Sequence, residues 1–353
     1  MPAPTGKTVL SGVRVAETGD AAARFAGWLL RGLGAAITRV EPPDAVSDRL
    51  RYLDTGKHLV TLDWSAAGGP AAFRELARTT DVIIETFPPG YLAGRGLSYE
   101  DLSGDNPGLV MASVTGFGQT GPRAGYAASE LIAQAEGGWL SVTGGPDRPV
   151  RLPGPQAHFT AALFTVNGIL LALRHRRLTG QGQHLDISLL ESAAAVLDHV
   201  LPRYAADGTV AARQGSRHWN NAFRVFPCAD GHILLSLQRD WDTLVGWLEA
   251  EGAAADLADA RWRDEDYRNE NIGRVIEVLT YWTKGKTAAD LVAIGQLMRF
   301  PWAKVASLPE LLNDPHLAAR HFFTDVTDGG QTYRVPGAPF RMSAVPFRPG
   351  GEG

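Results

Sequence analysis

Nine histidines and a single cysteine stand among the 353 residues. One histidine, His158, is a candidate for chemistry. It lies near the start of the longest apolar helical run in the chain, preceded by Gln156, and a neutral imidazole there could act as a base at physiological pH. The alternative is a hydrogen-bonded histidine that only fills a pocket. No HExxH or other compact ligand spacing occurs among the histidines, so no metal site is expected. Cys228 by itself excludes an internal disulfide and a cysteine-based metal site, and reads as a buried, inert thiol in a reducing compartment. Gly116, Gly118 and Gly121 spell GxGxxG directly after a strand. A dinucleotide fingerprint needs a helix to begin there with its N-terminus at the pyrophosphate, and Pro122 with the polar loop RAGYAAS speaks against one.

The elements that must position His158 follow from periodicity. Between Phe159 and Leu173 the polar residues are Thr160, Thr165 and Asn167, which suits a helix buried on most sides and too short to span a membrane. Arg174, His175, Arg176 and Arg177 put positive charge at its C-terminus, where the dipole favours it, and Gly180 and Gly182 end it. A strand, QHLDISL, comes next. Upstream, strands are expected at 13–18, 35–41, 58–64, 81–86 and 109–115, with helices at 21–33 and 66–77. Alternation of this kind builds a Rossmann-like α/β large domain on a parallel sheet, with a ligand held beyond the carboxyl ends of its strands.

The large domain is expected to span 1–205. The polar stretch from Pro202 to about 222 reads as a linker into a smaller α+β domain, 206–318, with a strand pair across 229–231 and helices at 241–251, 271–280 and 288–297. The charged run RWRDEDYRNEN reads as a solvated loop and helix start. Residues 319–353 form a C-terminal segment returning to the large domain, with strand-like pieces at 333–343. A net charge of −4 with 20% charged residues gives no footprint for nucleic acid. The N-terminus lacks the apolar core of a signal peptide, so a cytoplasmic protein with no membrane span is expected.

Several phrases in order, GAAITRVEPP, ETFPPGYL, ASVTGFGQTGP, GILLALRHRRLTGQGQHLDISLLES and LLNDPHLAARHFF, resemble those of the family III CoA-transferases, the CaiB/BaiF family, from about residue 12 to 345. The resemblance implies an interlocked dimer, either a homodimer or a heteromer with a catalytic family member. It implies acyl-CoA and carboxylic acid substrates, no tightly bound cofactor, and coenzyme A entering as part of the substrate. It also implies a nucleophilic aspartate ten residues before Gly168, where this chain has His158. A carboxyl group can become an anhydride and then a CoA thioester, whereas an imidazole offers no carbonyl on which to carry CoA. Glu130 is the other candidate carboxylate; a helix N-terminal role is its alternative. By the same resemblance Arg39, Leu62, Thr86 and Phe87 fall at CoA-binding positions, with Thr86 in place of the family's asparagine, and Arg95 lies one position from a family arginine; Arg39 is equally readable as half of an ion pair. The loop Gly19–Arg24 lacks the GP of many family members, and the nearest counterpart of a glycine-rich mobile loop is 213–221. The chain stops at RPGGEG without the usual closing phrase.

Three functions stay open. The chain could be a CoA-transferase subunit that takes its aspartate from a partner chain, or a self-sufficient transferase using Glu130 or another carboxylate. It could also be an isomerase or dehydratase with His158 as the base. A non-catalytic CoA-binding protein is the remaining alternative.

Overall fold

The structure is a computed structural model that describes residues 8–45, 51–66, 68–218, 221, 223–237, 240–328, 330–345 and 347. The closing RPGGEG and residues 219–220 of the expected loop lie outside the described residues. The chain divides into two compact units, one of Met1–Trp139, Arg151–Pro202 and Asp314–Gly353, the other of Leu140–Val150 and Arg203–Asn313.

In the first unit six parallel strands form one sheet: β1 (Arg14–Thr18), β2 (Ala36–Glu41), β3 (His58–Thr61), β4 (Val82–Glu85), β5 (Val110–Thr115) and β6 (Gln183–Ser188). Their order is β3-β2-β1-β4-β5-β6. VIIE and VMASVT are buried at every position, as central strands covered on both faces must be. The order reverses between β1 and β4, and such a switch point opens a crevice at the carboxyl ends of the two strands.

Helices α1 (Ala21–Gly32), α2 (Gly69–Arg78), α3 (Tyr99–Asp105), α4 (Glu130–Glu136), α5 (Gln156–Thr179) and α6 (Leu189–Ala195) accompany the sheet. The central α5 departs from expectation in two ways. At 24 residues it is long and apolar enough to cross a bilayer by length and composition, because the helix extends well beyond the apolar run. It is also buried on one face only: Ala161, Ala162, Thr165, Val166, Ile169 and Ala172 are buried, while Leu163, Phe164 and Leu171 are exposed. The small residues on its inner face let it lie close to α1, where Phe25 stacks on Phe159 at 4.2 Å. Gly180 closes the helix in the left-handed region at φ 77°, its amide bonded to the Arg176 carbonyl, as a glycine C-cap does. Arg176 then reaches Asp81 Oδ1 and the Gly108 carbonyl. After Gly116 the chain runs through turns, and no helix starts until Glu130. A further hairpin pairs β10 (Phe323–Asp328) with β11 (Gln331–Pro336), so the strand expected at 333–343 starts earlier and ends at its first proline.

The second unit packs β7 (Phe223–Cys228) against β8 (Gly231–Ser236), with β9 (Ala303–Lys304) on the far side. Its longer helices are α7 (Trp241–Ala250), α8 (Ile272–Lys284) and α9 (Ala288–Leu297). Trp247, Trp262, Trp282 and Trp302 fill its core. The indoles of Trp247 and Trp282 both donate to Glu251 at 2.7 Å, which satisfies donors that burial would otherwise strand. Three expectations are corrected here. The charged run contains two buried residues, Trp262 and Arg268, joined by an Arg268 bond to the Trp262 carbonyl. The polar linker begins inside a helix, Val200–Asp207. Cys228 is half-buried and its thiol donates to Asp230.

Candidate active site

The site grows from the two strands at the switch point. β1 ends at Thr18, and Gly19 takes φ +109° with a would-be Cβ only 2.0 Å from Thr86 Oγ1. No side chain fits there. This tight turn brings Asp20 to the N-cap of α1, where its Oδ1 accepts from the Ala22 amide at 2.9 Å, the usual work of an aspartate at that position. From the end of β4, Thr86 Oγ1 accepts the Asp20 amide at 2.8 Å. The two strand ends are thus tied across the crevice.

His158 lies on the first turn of α5, between two carboxylates. Its Nδ1 is 2.7 Å from Glu130 Oε2 and its Nε2 is 3.3 Å from Asp20 Oδ2. The side chains of His158 and Glu130 are 12% and 20% exposed, against 47% for Asp20. Helix α5 has no side-chain cap of its own at Pro155. Glu130, at the first position of α4, supplies one: its Oε1 accepts from the Ala157 amide at 2.8 Å and its Oε2 from the His158 amide at 3.2 Å. Gln134 Nε2 donates to Oε1 at 2.7 Å, and the same amide clasps Leu152 through its N–H and C=O. Both Glu130 oxygens are therefore fully engaged.

These contacts set the charges. Burial alone would raise Glu130, but the bonds from His158, Ala157 and Gln134 overcome it and hold the carboxyl at about 2. Burial alone would lower His158, but Asp20 and Glu130 favour the imidazolium and raise it to about 9. Near neutral pH the centre is a cation between two carboxylates.

Two cavities meet at Asp20 and Phe87, which line both. The inner one, about 550 Å³, is walled by Thr86, His158, Tyr126, Leu189 and the Val114–Gly116 strand end. The outer one, about 770 Å³, is walled by Arg24, Arg39, Trp64, Tyr91 and Arg95. Phe87 stacks on Tyr91 at 4.4 Å and meets Trp64 edge-on. The Arg95 guanidinium lies 3.7 Å over the Tyr91 ring and donates to the Tyr91 carbonyl. Arg39 is buried and committed: it bonds Glu41 Oε1 and the Gly19 carbonyl and lies 3.6 Å from Glu17. Its ion-pair reading accounts for most of its cationic head, and it braces the Gly19 turn from beneath. Leu62 is 7% exposed in a cluster with Trp64 and Phe73 and lies behind the wall rather than on it.

Sequence reasoning missed four residues here. Asp20 was legible as an N-cap from Gly-Asp before a helix of small residues, but not as a neighbour of His158. Trp64 and Tyr91 build the aromatic wall. Glu85 ends β4 almost fully buried, accepting the Phe87 amide at 2.7 Å. Burial pushes its carboxyl up to about 7 against the opposing bonds from Ser113 and Phe87.

The sequence profile of CoA-transferase family III matches residues 10–351. The chain belongs to CoA-transferase family III. Among family III relatives, the succinyl-CoA:(R)-benzylsuccinate CoA-transferase subunit BbsE of Thauera aromatica is 33% identical, over 91% of this chain and 85% of the relative. The succinate–glutarate CoA-transferase of Agrobacterium fabrum is 32% identical, over 98% and 92%. A CAIB/BAIF family protein of Brucella suis superposes with a TM-score of 0.87 at 28% identity, over 97% of this chain and 94% of that one. The family III fold is thus present across nearly the whole chain, with the cavities above at the sheet's switch point.

Proposed function

We propose that this family III chain moves CoA between an acyl-CoA thioester and a free carboxylic acid in the two adjoining cavities. The observation that carries the reading is their division of labour around Asp20 and Phe87. The outer cavity offers aromatic faces and the Arg95 cation to a nucleotide and its phosphates, with Phe87 and Thr86 at the passage inward. The inner cavity offers a charged centre to the reacting acyl group. Arg39 lines the outer cavity while bracing the Gly19 turn, and Leu62 supports the binding surface from behind. Succinyl-CoA is the donor to try first, since succinyl-CoA stands in the name of one relative and succinate in that of the other.

The imidazolium bears on the proton-transfer alternative. A ring held protonated to about pH 9 has no lone pair with which to take an α-proton, which counts against His158 as a base. A second reading is favoured by one observation: a relative is named as a subunit. In that reading the chain works with another family III chain.

The test is to incubate the purified protein with succinyl-CoA and a panel of dicarboxylic and aryl-substituted acids and to follow new thioesters by liquid chromatography–mass spectrometry. Exchange by the protein alone supports the proposal. Exchange only after a second family III chain is added supports the subunit reading. CoA binding without exchange in either case would leave a non-catalytic CoA-binding protein.

A further inference from the structure

CoA transfer through a covalent enzyme intermediate needs a side chain that can itself carry CoA, and among protein side chains a carboxyl group becomes a thioester through an anhydride. Three carboxylates stand near the centre, and their surroundings differ. Glu85 is buried behind the Phe87 turn. Glu130 accepts four hydrogen bonds on its two oxygens and does not line the inner cavity. Asp20 is half-exposed and, among the described residues, is the one carboxylate on the inner cavity wall; it also reaches the outer cavity.

We infer that Asp20 is the carboxylate that carries CoA, with His158 orienting its Oδ2 from 3.3 Å. The inference rests on the transfer reading above and names the residue that performs it. In the first step an Asp20 oxygen attacks the thioester carbonyl of the donor; the C–S bond breaks, CoA leaves as thiolate, and an acyl–aspartyl anhydride forms. The thiolate then attacks Cγ of Asp20. The anhydride C–O bond breaks, the donor acid leaves as carboxylate, and Asp20 becomes a β-aspartyl-CoA thioester. The acceptor carboxylate attacks that thioester carbonyl, expels the thiolate and forms a second anhydride. Attack of the thiolate on the acceptor's carbonyl releases the new acyl-CoA and restores the Asp20 carboxylate. No oxidant, reductant or net proton is consumed. The N-cap bond to Ala22 occupies Oδ1 and fixes the rotamer, while His158 gives the departing and returning negative charge a nearby cation.

The competing role for Asp20 is a helix cap and ion pair without chemistry. The experiment that separates them is hydroxylamine trapping: the protein is mixed with succinyl-CoA, quenched with hydroxylamine, digested and mapped for a hydroxamate. The expected label is on Asp20. In parallel, Asp20→Asn and Asp20→Ser, both of which keep a capping oxygen, should melt near the parent temperature, still bind CoA, and lose about 10³-fold or more in kcat with no label. His158→Gln should lower kcat and shift its pH profile while any residual label stays on Asp20, as expected of a positioning residue. A label on Glu130, Glu85 or any other carboxyl, or full turnover by either Asp20 variant, would overturn the assignment while leaving the transfer reading intact. No exchange and no label with any donor would remove the transfer reading, and the assignment with it.

Discussion

The Glu130 carboxylate accepts the Ala157 amide at 2.8 Å, 27 residues along the chain, and so caps a helix to which it does not belong. The same carboxylate holds His158 at 2.7 Å. Glu130→Gln keeps an acceptor but loses the charge that favours both a helix N-terminus and an imidazolium. We expect a loss of about 1–3 kcal/mol in urea denaturation, together with a downward shift of the His158 titration followed by NMR.

Stability should depend on pH through this pair. His158 is raised from 6.5 to about 9, so its contribution is fully present below about 6.5 and is lost as pH rises through about 9. Glu130 is lowered from 4.5 to about 2, so its contribution is present above about 4.5 and is lost as pH falls towards 2. The two overlap between about 4.5 and 6.5. Urea midpoints of the parent protein and His158→Gln should differ most in that window and converge near pH 10; a difference that does not change with pH would contradict the charge state assigned here.

Gly19→Ala forces a methyl into Thr86 at a φ that alanine resists. The turn must open, and with it the Asp20–Thr86 bond. The variant should lose more than about 1 kcal/mol of stability and most of its CoA exchange, read in one preparation by calorimetry and by thioester assay.

Phe87 lines both cavities and stacks on Tyr91. Phe87→Ala should weaken CoA binding about tenfold or more, on the ~1–3 kcal/mol that a stacked ring contributes. Arg95→Ala should weaken it with a reduced salt dependence, since a phosphate-facing cation is screened. Calorimetric titration at two ionic strengths distinguishes the two effects.

Lys57 and Glu17 lie buried beneath the site at 2.6 Å, with Lys57 also donating to the Arg24 carbonyl. Burial acts first on both, raising the carboxyl and lowering the amine. Lys57→Met leaves the buried Glu17 charge facing Arg39 at 3.6 Å without its hydrogen-bonded partner and should cost about 3 kcal/mol. Glu17→Gln in the same chain should recover part of that loss in thermal denaturation.

Much of the sheet was readable because buried parallel strands announce themselves as short apolar runs between glycines and prolines, as with VIIE before the break at Phe87-Pro88-Pro89-Gly90. Helix α5 was placed but misjudged. Apolar content does not say which face is covered, and Leu163, Phe164 and Leu171 are outside while the alanines are in. Around His158 the local phrases gave Glu130 and Thr86 but not Asp20, whose meeting with His158 is made by the switch-point topology rather than by any spacing. Arg39 could be read as a phosphate ligand or as an ion pair; only the packed neighbours Glu41 and Glu17 and the Gly19 carbonyl show how its charge is occupied. The charged run around Trp262 misled for the opposite reason, its many ionisable residues hiding two that pack inside.

The missing cap at Pro155 makes the start of α5 dependent on a second helix. The first turn of α5 is held by Glu130 and by the Gln134 clasp on Leu152, both from α4. Until α4 docks, that turn frays, and His158 has no fixed address. Assembly of the reactive centre therefore depends on that docking, and a chain in which α4 is displaced keeps its sheet but not its chemistry.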